Sequence, residues 1–326
     1  MRLKPFILPV VFLLLSLVSC KKLNDEYPPV PWNTFFYKSD SHSPRPVSAI
    51  LYENEQRQWL GAQQQQGLLF NDGKQWLAFN ALNTGIPFDS VSCIVRDGND
   101  RIWVGWKYGL ARYDGRKWET IPQLAGLNVN SVAVEGIGNL WVGISGTEAT
   151  GGLAYFKNNS WTFMSPENSG IPSGKIQKII LDPLQGLWAA TSDKGVFNFR
   201  DGKWTLFNTL NLPISSNDFR SICIDQLSRV WSGSVTSELV CFDGQHIHVL
   251  HTGTSAPISS LLADRNGNVW CGTDGAGLLK FSGTHWSSFT AHNSRLPSDT
   301  ILHLAQGPED WVLFSLSSKK VLSIKH

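Results

Sequence analysis

A tryptophan followed two positions later by glycine recurs along the chain, with alanine or leucine replacing the glycine in the fourth and seventh copies. The repeated tryptophans are Trp59, Trp103, Trp141, Trp188, Trp231, Trp270 and Trp311, which lie 44, 38, 47, 43, 39 and 41 residues apart. A period of roughly 40 residues is the length of one four-stranded blade of a β-propeller. The seven copies therefore predict an all-β, seven-bladed β-propeller of four-stranded antiparallel blades over residues 31–326.

Other landmarks of a blade accompany the tryptophans. An apolar strand precedes each one and in several copies ends at an acidic residue, namely Asp97, Asp182, Asp225 and Asp264. Because these carboxylates recur from blade to blade, we expect them to bond turn backbone and not to act in catalysis. A tight turn such as Asp114-Gly115 then leads into an outer strand with a second aromatic residue. These outer residues are Trp76, Trp118, Trp161, Trp204, His246 and Trp286.

The seventh unit lacks an outer strand in the sequence, which stops soon after the predicted third strand, Val321–Ile324. The segment Trp32–Phe36 precedes the first unit and resembles the outer strands of the other units. Pairing of this N-terminal strand with the last blade closes the ring and removes two exposed strand edges, which otherwise invite aggregation. We therefore expect the two ends of the propeller to share one blade.

Residues 1–19 predict a lipoprotein signal peptide. Arg2 and Lys4 give a positive start, Pro5–Val18 gives an apolar core, and Cys20 follows in a pattern that resembles a lipobox. Cleavage before Cys20 and acylation of its thiol would anchor the protein stably in a lipid bilayer. An ordinary signal peptide that happens to end before a cysteine is the alternative.

Residues 20–30 then comprise the lipidated cysteine and a proline-containing tether. The residues after the cysteine are Lys21 and Lys22, without aspartate, and the lipobox resemblance therefore implies an outer-membrane lipoprotein that faces the periplasm or the cell surface. The remaining chain has no apolar run of about 20 residues, so no transmembrane helix is expected in the mature protein.

Charge and cysteine content limit the classes of partner. Removal of Arg2 and Lys4 with the signal peptide changes the formal charge from +2 to about zero, and no basic field suggests nucleic acid. The four later cysteines are Cys93, Cys223, Cys241 and Cys271. Cys223 and Cys241 fall on non-neighbouring strands of the fifth blade, roughly 9.5 Å apart and beyond disulfide reach. We interpret all four as small buried hydrophobic residues.

The unit from Ile86 to Ile121, IPFDSVSCIVRDGNDRIWVGWKYGLARYDGRKWETI, resembles a two-component regulator propeller repeat, and similar units extend from Trp32 to the end. Such repeats build the periplasmic sensor half of hybrid histidine kinases in Bacteroidetes-type bacteria. Those kinases carry two propellers, a further β-domain, a membrane span and kinase modules, whereas this sequence shows one propeller. The resemblance thus implies recognition of a glycan or an envelope protein outside the cytoplasm, without phosphoryl transfer by this chain.

Candidate ligand-binding residues are polar or aromatic side chains that interrupt the repeat near one mouth of the central channel. The loops between second and third strands and those joining blades share this mouth. The candidates are Trp106, Lys107, Tyr108, Lys178, Asp193, Lys194, Arg220, Asp274 and His303. Trp106 and Tyr108 flank Lys107 on a predicted loop, and aromatic faces suit a sugar ring or a protein partner. The alternatives are packing of Trp106 on a neighbouring blade and simple solvation of Lys178 and His303 in the channel.

The sequence predicts no metal site and no cofactor. His246 and His248 lie two residues apart and therefore share one face of a strand, but no third ligand is evident beside them. No glycine-rich loop leads into a helix, as a phosphate-binding site requires. A catalytic nucleophile with a nearby base is not discernible either, so no catalytic residue is assigned.

Three functions fit these observations. We favour a non-catalytic binding or sensing propeller, anchored in the envelope, that recognises a glycan or a protein. The alternative is a glycan-directed lyase or related propeller enzyme with its site at the channel mouth, because the fold alone does not exclude catalysis. A structural scaffold subunit of an envelope complex, which would present apolar patches on its rim, is the second alternative.

The lipobox interpretation makes a direct prediction. Cys20→Ala removes the thiol that would carry the lipid, so the full-length variant should lose acylation and leave the membrane fraction. Fractionation of cells, with metabolic labelling by a fatty acid, measures both effects. Cys93→Ala is the matched control and should remain in the membrane fraction. Membrane association of Cys20→Ala equal to that of the control would contradict the interpretation.

Overall fold

A computed structural model describes residues 32–36, 46–62, 67–182, 184–294, 296–318 and 321–325. These residues form seven four-stranded antiparallel sheets, and the innermost strand of each sheet contacts that of the next all the way around a ring. The structure thus confirms the seven-bladed β-propeller. The signal peptide, Cys20 and the tether lie outside the described residues.

The blades are numbered along the chain, and the strands of each blade are named in order from the innermost to the outermost. Blade 1 contains Val47–Asn54, Arg57–Ala62, Leu68–Asn71 and Trp76–Phe79, and blade 2 contains Val91–Arg96, Ile102–Trp106, Gly109–Tyr113 and Trp118–Thr120. Blade 3 contains Asn128–Glu135, Asn139–Ser145, Gly152–Lys157 and Ser160–Met164, and blade 4 contains Ile176–Asp182, Gly186–Thr191, Val196–Arg200 and Lys203–Phe207. Blade 5 contains Phe219–Ile224, Val230–Ser234, Glu238–Phe242 and Ile247–His251, and blade 6 contains Ile258–Ala263, Val269–Thr273, Leu278–Phe281 and Trp286–Phe289. Blade 7 contains Ile301–Gln306, Trp311–Leu316, Val321–Lys325 and Trp32–Phe36. Short helical turns span Ala81–Thr84, Pro122–Leu124 and Pro166–Ser169.

The N-terminal strand closes the ring, as the sequence predicts. Trp32–Phe36 pairs antiparallel with Val321–Lys325, with Trp32 opposite Ile324. The seventh blade therefore takes three strands from one end of the described chain and its outermost strand from the other.

The repeated tryptophans occupy one register in six blades but not in the seventh. Trp59 lies opposite Leu51 and Trp103 opposite Val95, four residues beyond the first residue of each inner-strand ladder. In blade 7 this register is taken by the buried Leu313, opposite Ala305. Trp311 lies two residues earlier, so its assignment to the same position as the other six tryptophans is wrong.

A carboxylate at the end of the inner strand binds the indole N–H of the tryptophan six residues later. The pairs are Glu53 and Trp59 at 2.8 Å, Asp97 and Trp103 at 2.8 Å, Glu135 and Trp141 at 3.2 Å, Asp225 and Trp231 at 2.9 Å, and Asp264 and Trp270 at 2.7 Å. Asp97 also accepts the backbone N–H groups of Asn99 and Arg101. Asp225 and Asp264 likewise accept turn N–H groups, so the expected bonding of Asp97, Asp225 and Asp264 to turn backbone is confirmed, and these three carboxylates join a turn to the core.

Blade 4 lacks this bond. Asp182 accepts the backbone N–H groups of Leu184 and Gln185 through one oxygen. Its second oxygen and the indole nitrogen of Trp188 are both buried and have no hydrogen-bond partner among the residues that the structure describes.

The outer aromatic position of blade 5 also departs from the sequence-based assignment. Trp118 lies opposite Tyr113, and Trp204 lies opposite Phe199. The corresponding partner of Phe242 is Ile247, and His246 precedes that strand. The assignment of His246 to the outer aromatic position is therefore wrong, because blade 5 has an aliphatic residue there.

Glycine in the second strand leaves room for a side chain of the next blade. A Cβ atom added to these glycines would come closer than 3.0 Å to a β-branched side chain at the start of the next inner strand. The facing pairs are Gly61 and Val91, Gly105 and Val129, Gly143 and Ile176, Gly233 and Ile258, and Gly272 and Ile301. Since real Cβ atoms do not approach this closely, the glycine sets the spacing between blades.

The carboxylate and indole pairs predict unequal effects of one isosteric change. Asp97→Asn replaces an acceptor with an amide donor opposite the indole N–H of Trp103. In Asp182→Asn, the amide NH2 group can replace the carboxylate oxygen that has no hydrogen-bond partner among the described residues. We expect Asp97→Asn to lower the free energy of unfolding by about 1.5–3 kcal/mol, and Asp182→Asn by less than about 1 kcal/mol. Urea unfolding of both variants measures this difference. Equal losses would contradict the role given to the indole bond.

Candidate functional site

The inner strands around the channel carry a repeated bulge. In every blade the register with the second strand shifts by one residue near the start of the inner strand, for example between Val91 and Cys93. A bulge leaves its extra residue free of the ladder and available for other contacts. Here the bulged residue and the one after it reach the neighbouring blade.

These two positions hold small polar residues that join the inner strands. At the bulge, the side chains of Ser48, Ser92, Asn130 and Ser259 donate to the backbone carbonyls of Val91, Val129, Ile176 and Ile301, respectively, in the next blade. At the following position, the hydroxyls of Ser131, Ser221 and Ser260 accept the backbone N–H groups of Ile179, Leu261 and Leu304 at 3.1, 2.8 and 3.0 Å. Within the described residues, these side-chain-to-backbone bonds join five of the seven pairs of neighbouring inner strands, and the pairs of blades 4 and 5 and of blades 7 and 1 have none.

Three of the sequence-predicted residues stand at these two positions. Arg220 occupies the bulge of blade 5, where blades 1, 2, 3 and 6 have serine or asparagine and blades 4 and 7 have Gln177 and Leu302. Lys178 in blade 4 and His303 in blade 7 occupy the following position, where three blades have a bonding serine. At these three positions an ionisable side chain stands where other blades have a side chain that bonds to the next blade.

Lys178 is enclosed by the channel wall and has no carboxylate partner within the described part of the chain. Burial lowers the pKa of Lys178 below its usual value, and the nearby thiols of Cys93 and Cys223 oppose this shift. Burial in turn raises the pKa of Cys93 to about 11 and that of Cys223 to about 12, so both thiols are protonated at neutral pH. The amine of Lys178 therefore lines the channel without a negatively charged partner among the described residues.

His303 shares this environment. Burial, with a smaller contribution from the charge of Lys178, lowers the pKa of His303 to about 3. The imidazole is therefore neutral at physiological pH, with one ring nitrogen that donates and one that accepts. Lys178 and His303 come from blades 4 and 7 and hold the same position after the bulge of their inner strands, so both belong to the ring of strands around the channel.

A second group of charges lies at the mouth, where blades 4 and 5 meet. Arg220 approaches Asp218 at 3.8 Å, and Lys175 approaches Asp193 at 3.6 Å. Asp193 also accepts the hydroxyl of Ser173 at 2.6 Å. Burial, with a smaller effect of Asp193, raises the pKa of Asp218, while Arg220 opposes the shift. Within the described ranges, one buried oxygen of Asp218 has no hydrogen-bond partner.

Trp106 does not lie on a loop. It is the last residue of the second strand of blade 2, is 4% exposed, and packs edge-on against Phe88 at a ring distance of 5.7 Å. The loop placement is wrong because the strand continues one residue beyond the repeated Trp-x-Gly segment, and packing was the correct alternative. Lys107 and Tyr108 do form the turn and are exposed, with the ammonium 5.2 Å from the ring of Tyr108.

The two remaining candidates lie on the predicted mouth but in separate surroundings. Lys194 is exposed, and its backbone N–H donates to the hydroxyl of Thr191. Asp274 is exposed in blade 6 and accepts the hydroxyl of Thr300 at 3.4 Å. The described contacts do not connect either side chain to Lys178 or to Arg220.

The sequence-based selection missed Asp218, Lys175 and Ser173. All three lie in segments that join one blade to the next, and Asp218 stands two residues before the bulged Arg220. In the sequence, oppositely charged residues lie close to an inner strand whose residue departs from the repeat, and this proximity could have indicated them.

The cysteines are free thiols, as the sequence predicts. Cys223, Cys241 and Cys271 are buried, and burial raises the pKa of Cys241 to about 12 and that of Cys271 well above its usual value. Cys93 is only partly buried. Its assignment as a fully buried residue is wrong, because it stands at the inner-strand position that lines the channel.

The lowered pKa of His303 predicts a pH effect on stability. Its pKa is about 3 in the folded protein and about 6.5 when unfolded, so only the unfolded chain gains a proton as the pH falls from 6.5. This histidine thus reduces the free energy of unfolding by up to about 1 kcal/mol per pH unit below pH 6.5. His303→Gln should lose less stability than the native protein between pH 7 and 4, measured by urea unfolding. The exposed His292→Gln is the control, and identical pH profiles for the native protein and His303→Gln would contradict the pKa shift.

Comparison with known proteins supports the repeat assignment. The family model described as two-component regulator propeller matches residues 85–105 and 252–275. Among curated proteins, no relative matches the sequence significantly. No helix in the described ranges combines the length and apolar character that crossing a membrane requires.

Several solved structures share the fold. The extracellular domain assigned to the hybrid two-component system BT4673 from B. thetaiotaomicron has a TM-score of 0.74 at 19% identity over 91% of this chain. Virginiamycin B lyase from Staphylococcus aureus with quinupristin has a TM-score of 0.72 at 11% identity, over 88% of this chain and 97% of that one. PorZ, a surface component of the type-IX secretion system of Porphyromonas gingivalis, has a TM-score of 0.64 at 16% identity, over 89% of this chain and 47% of PorZ.

These identities establish similarity of fold alone. This chain spans only 40% of the BT4673 extracellular domain, so the activity of that larger protein does not transfer to it. The match of two separate units to the family model nevertheless agrees with the repeat seen in the sequence. The chain is therefore a seven-bladed propeller in which two units match the family model described as two-component regulator propeller.

Proposed function

We propose that this protein is an envelope-anchored recognition propeller that binds a glycan at the channel mouth between blades 4 and 5, with Lys178 and His303 deeper in the channel. The anchor would be the acylated Cys20, in the outer membrane. The family and the similar extracellular domain are consistent with ligand binding outside the cytoplasm.

The observation that carries this proposal is the placement of Lys178, Arg220 and His303. Each replaces a side chain that elsewhere bonds one inner strand to the next. Gln177, Leu302 and Ala49 also occupy these positions without such a bond among the described residues, but only Lys178, Arg220 and His303 place an ionisable group there. Ionisable groups on the inner strands around one channel are candidate contacts for a ligand.

The chemistry of the mouth suits a hydroxyl-rich ligand with an acidic group. Asp193 and Asp218 provide carboxylate oxygens that accept from sugar hydroxyls, and Arg220 is a donor 45% exposed to solvent. Lys178 has no carboxylate partner among the described residues and would bind an anionic or carbonyl oxygen. Glycans with carboxylate or sulfate groups are therefore the first candidates.

A lyase remains the second candidate because of one observation. An amine with a lowered pKa and a neutral imidazole in one channel are the types of group that remove protons. Virginiamycin B lyase shows that this propeller architecture can carry lyase activity in another protein. Catalysis by this chain would require cleavage of the bound glycan, and product analysis distinguishes it from binding.

The test is a binding screen of the purified propeller, residues 31–326, which contains the complete ring. Neutral and acidic envelope or dietary glycans are titrated by calorimetry, and each mixture is analysed for shortened or unsaturated products. Lys178→Met and Arg220→Gln should each weaken binding of an acidic glycan by about tenfold or more, because each removes a charged hydrogen bond. Arg116→Gln, at an exposed hairpin of blade 2, should leave it unchanged.

The outcomes separate the alternatives. Saturable binding that is lost in the two channel variants, without product, supports recognition. Product formation abolished by His303→Gln supports the lyase. Binding unaffected by either channel variant contradicts the site, and the absence of any glycan binding favours the scaffold function, for which PorZ provides an example of a propeller-containing surface component.

A further inference from the structure

The hairpin between the third and fourth strands of blade 5 differs from its counterparts. Blade 6 has Ser282 and His285 in this turn and Trp286 at the start of the outer strand, whereas blade 5 has Asp243, His246 and Ile247. One residue further along, blade 5 has His248 and blade 6 has serine. Three potential metal ligands are thus concentrated in one hairpin, on the face of the propeller opposite the candidate mouth.

The side chains of Asp243, His246 and His248 converge. Their ligand atoms all lie within 4.8 Å of one another. Nε2 of His248 is 3.1 Å from Oδ2 of Asp243, and Nδ1 of His246 is 3.8 Å from the same oxygen. The sequence-based statement that the two histidines have no third ligand is therefore wrong, because the tight turn returns Asp243 to their side of the strand.

The hairpin holds the carboxylate in a fixed orientation. Oδ1 of Asp243 accepts the backbone N–H groups of Gln245 and His246 at 2.9 and 2.6 Å. Oδ2 is left to face the two imidazoles. One oxygen thus belongs to the turn and the other is available as a ligand, an arrangement that reduces the cost of ordering the site.

The distances fit a small divalent ion. Ligand atoms around a tetrahedral Zn²⁺ at bond lengths of about 2.0–2.1 Å lie roughly 3.3 Å apart, which falls between the two observed distances. Two imidazoles and one carboxylate form a donor set that favours Zn²⁺ and similar transition metals over Mg²⁺ or Ca²⁺. Three protein ligands also leave a fourth position open to water or to an external donor.

A groove adjoins this hairpin. A cavity of about 270 Å³ between blades 4 and 5 is lined by Gly244, Gln245, His246 and Ile247 on one side and by Trp188 and Phe207 on the other. It lies where the other blades have an outer tryptophan. The groove therefore has apolar walls and is bordered by His246, one of the three ligands.

We propose that Asp243, His246 and His248 form a binding site for a divalent transition-metal ion at the edge of the groove between blades 4 and 5. The open coordination position, next to apolar walls, would bind water or a carboxylate or imidazole donor of a molecule seated in the groove. This site is independent of the glycan site, since it is built from a different part of blade 5.

Titration of the purified propeller with Zn²⁺, followed by calorimetry, tests the proposal. We expect one ion per chain, and His248→Gln and Asp243→Asn should each weaken binding by more than about tenfold, since each removes one of three ligands. His285→Gln is the matched control, because His285 holds the position of His246 in the blade 6 hairpin but has no aspartate or second histidine beside it. Circular dichroism verifies that all variants keep the fold.

A second measurement identifies the ligands directly. Co²⁺ in place of Zn²⁺ should give visible absorption bands whose position changes in His246→Gln but not in His285→Gln. Failure to bind Zn²⁺ at micromolar concentrations would overturn the proposal. Binding that His248→Gln and Asp243→Asn leave unaltered would overturn it as well, because the ion would then be held elsewhere.

Discussion

The contact between successive inner strands is the constraint on which this propeller depends. A β-branched residue at the start of each inner strand packs directly over a glycine of the preceding blade in five of the seven interfaces, and bulged serine or asparagine side chains bond the strands together. Because seven similar wedges must close a circle, a small error in this spacing would be repeated around the ring. The glycine two residues after the tryptophan is therefore a packing requirement and not merely a sequence marker.

The candidate site arises where this contact is relaxed. Lys178, Arg220 and His303 stand in positions that three or four of the other blades use for bonding, and blade 4 has Ala190 in place of the repeated glycine. Blade 4 also lacks the bond between Asp182 and Trp188. Departures of several kinds thus occur in blades 4, 5 and 7, and blades 4 and 5 carry both the mouth cluster and the groove beside the blade 5 hairpin. A repeat protein tolerates such local departures because its other interfaces retain their bonds.

Most of the architecture could be predicted from the sequence because the same pattern of strands, turns and tryptophan occurs in several copies. The period, the four strands and closure by Trp32–Phe36 were all recoverable. Errors occurred where one copy departs from the rule: Trp311 is displaced by two residues, Ile247 replaces an outer tryptophan, and Trp106 extends a strand. The site was recoverable only in part. Lys178, Arg220 and His303 were visible as exceptions, whereas Asp218 and Asp243 depend on loop paths that periodicity does not specify.

Closure by an N-terminal outer strand also determines how an anchored propeller would face its surroundings. Outer strands run from the hairpin face to the face that bears the loops between blades, and Trp32 begins such a strand. The chain preceding Trp32 therefore meets the propeller at the rim of blade 7, on the hairpin side. If Cys20 is acylated as proposed, the tether would attach on the side of the Asp243 hairpin, and the channel mouth would lie on the face opposite this attachment.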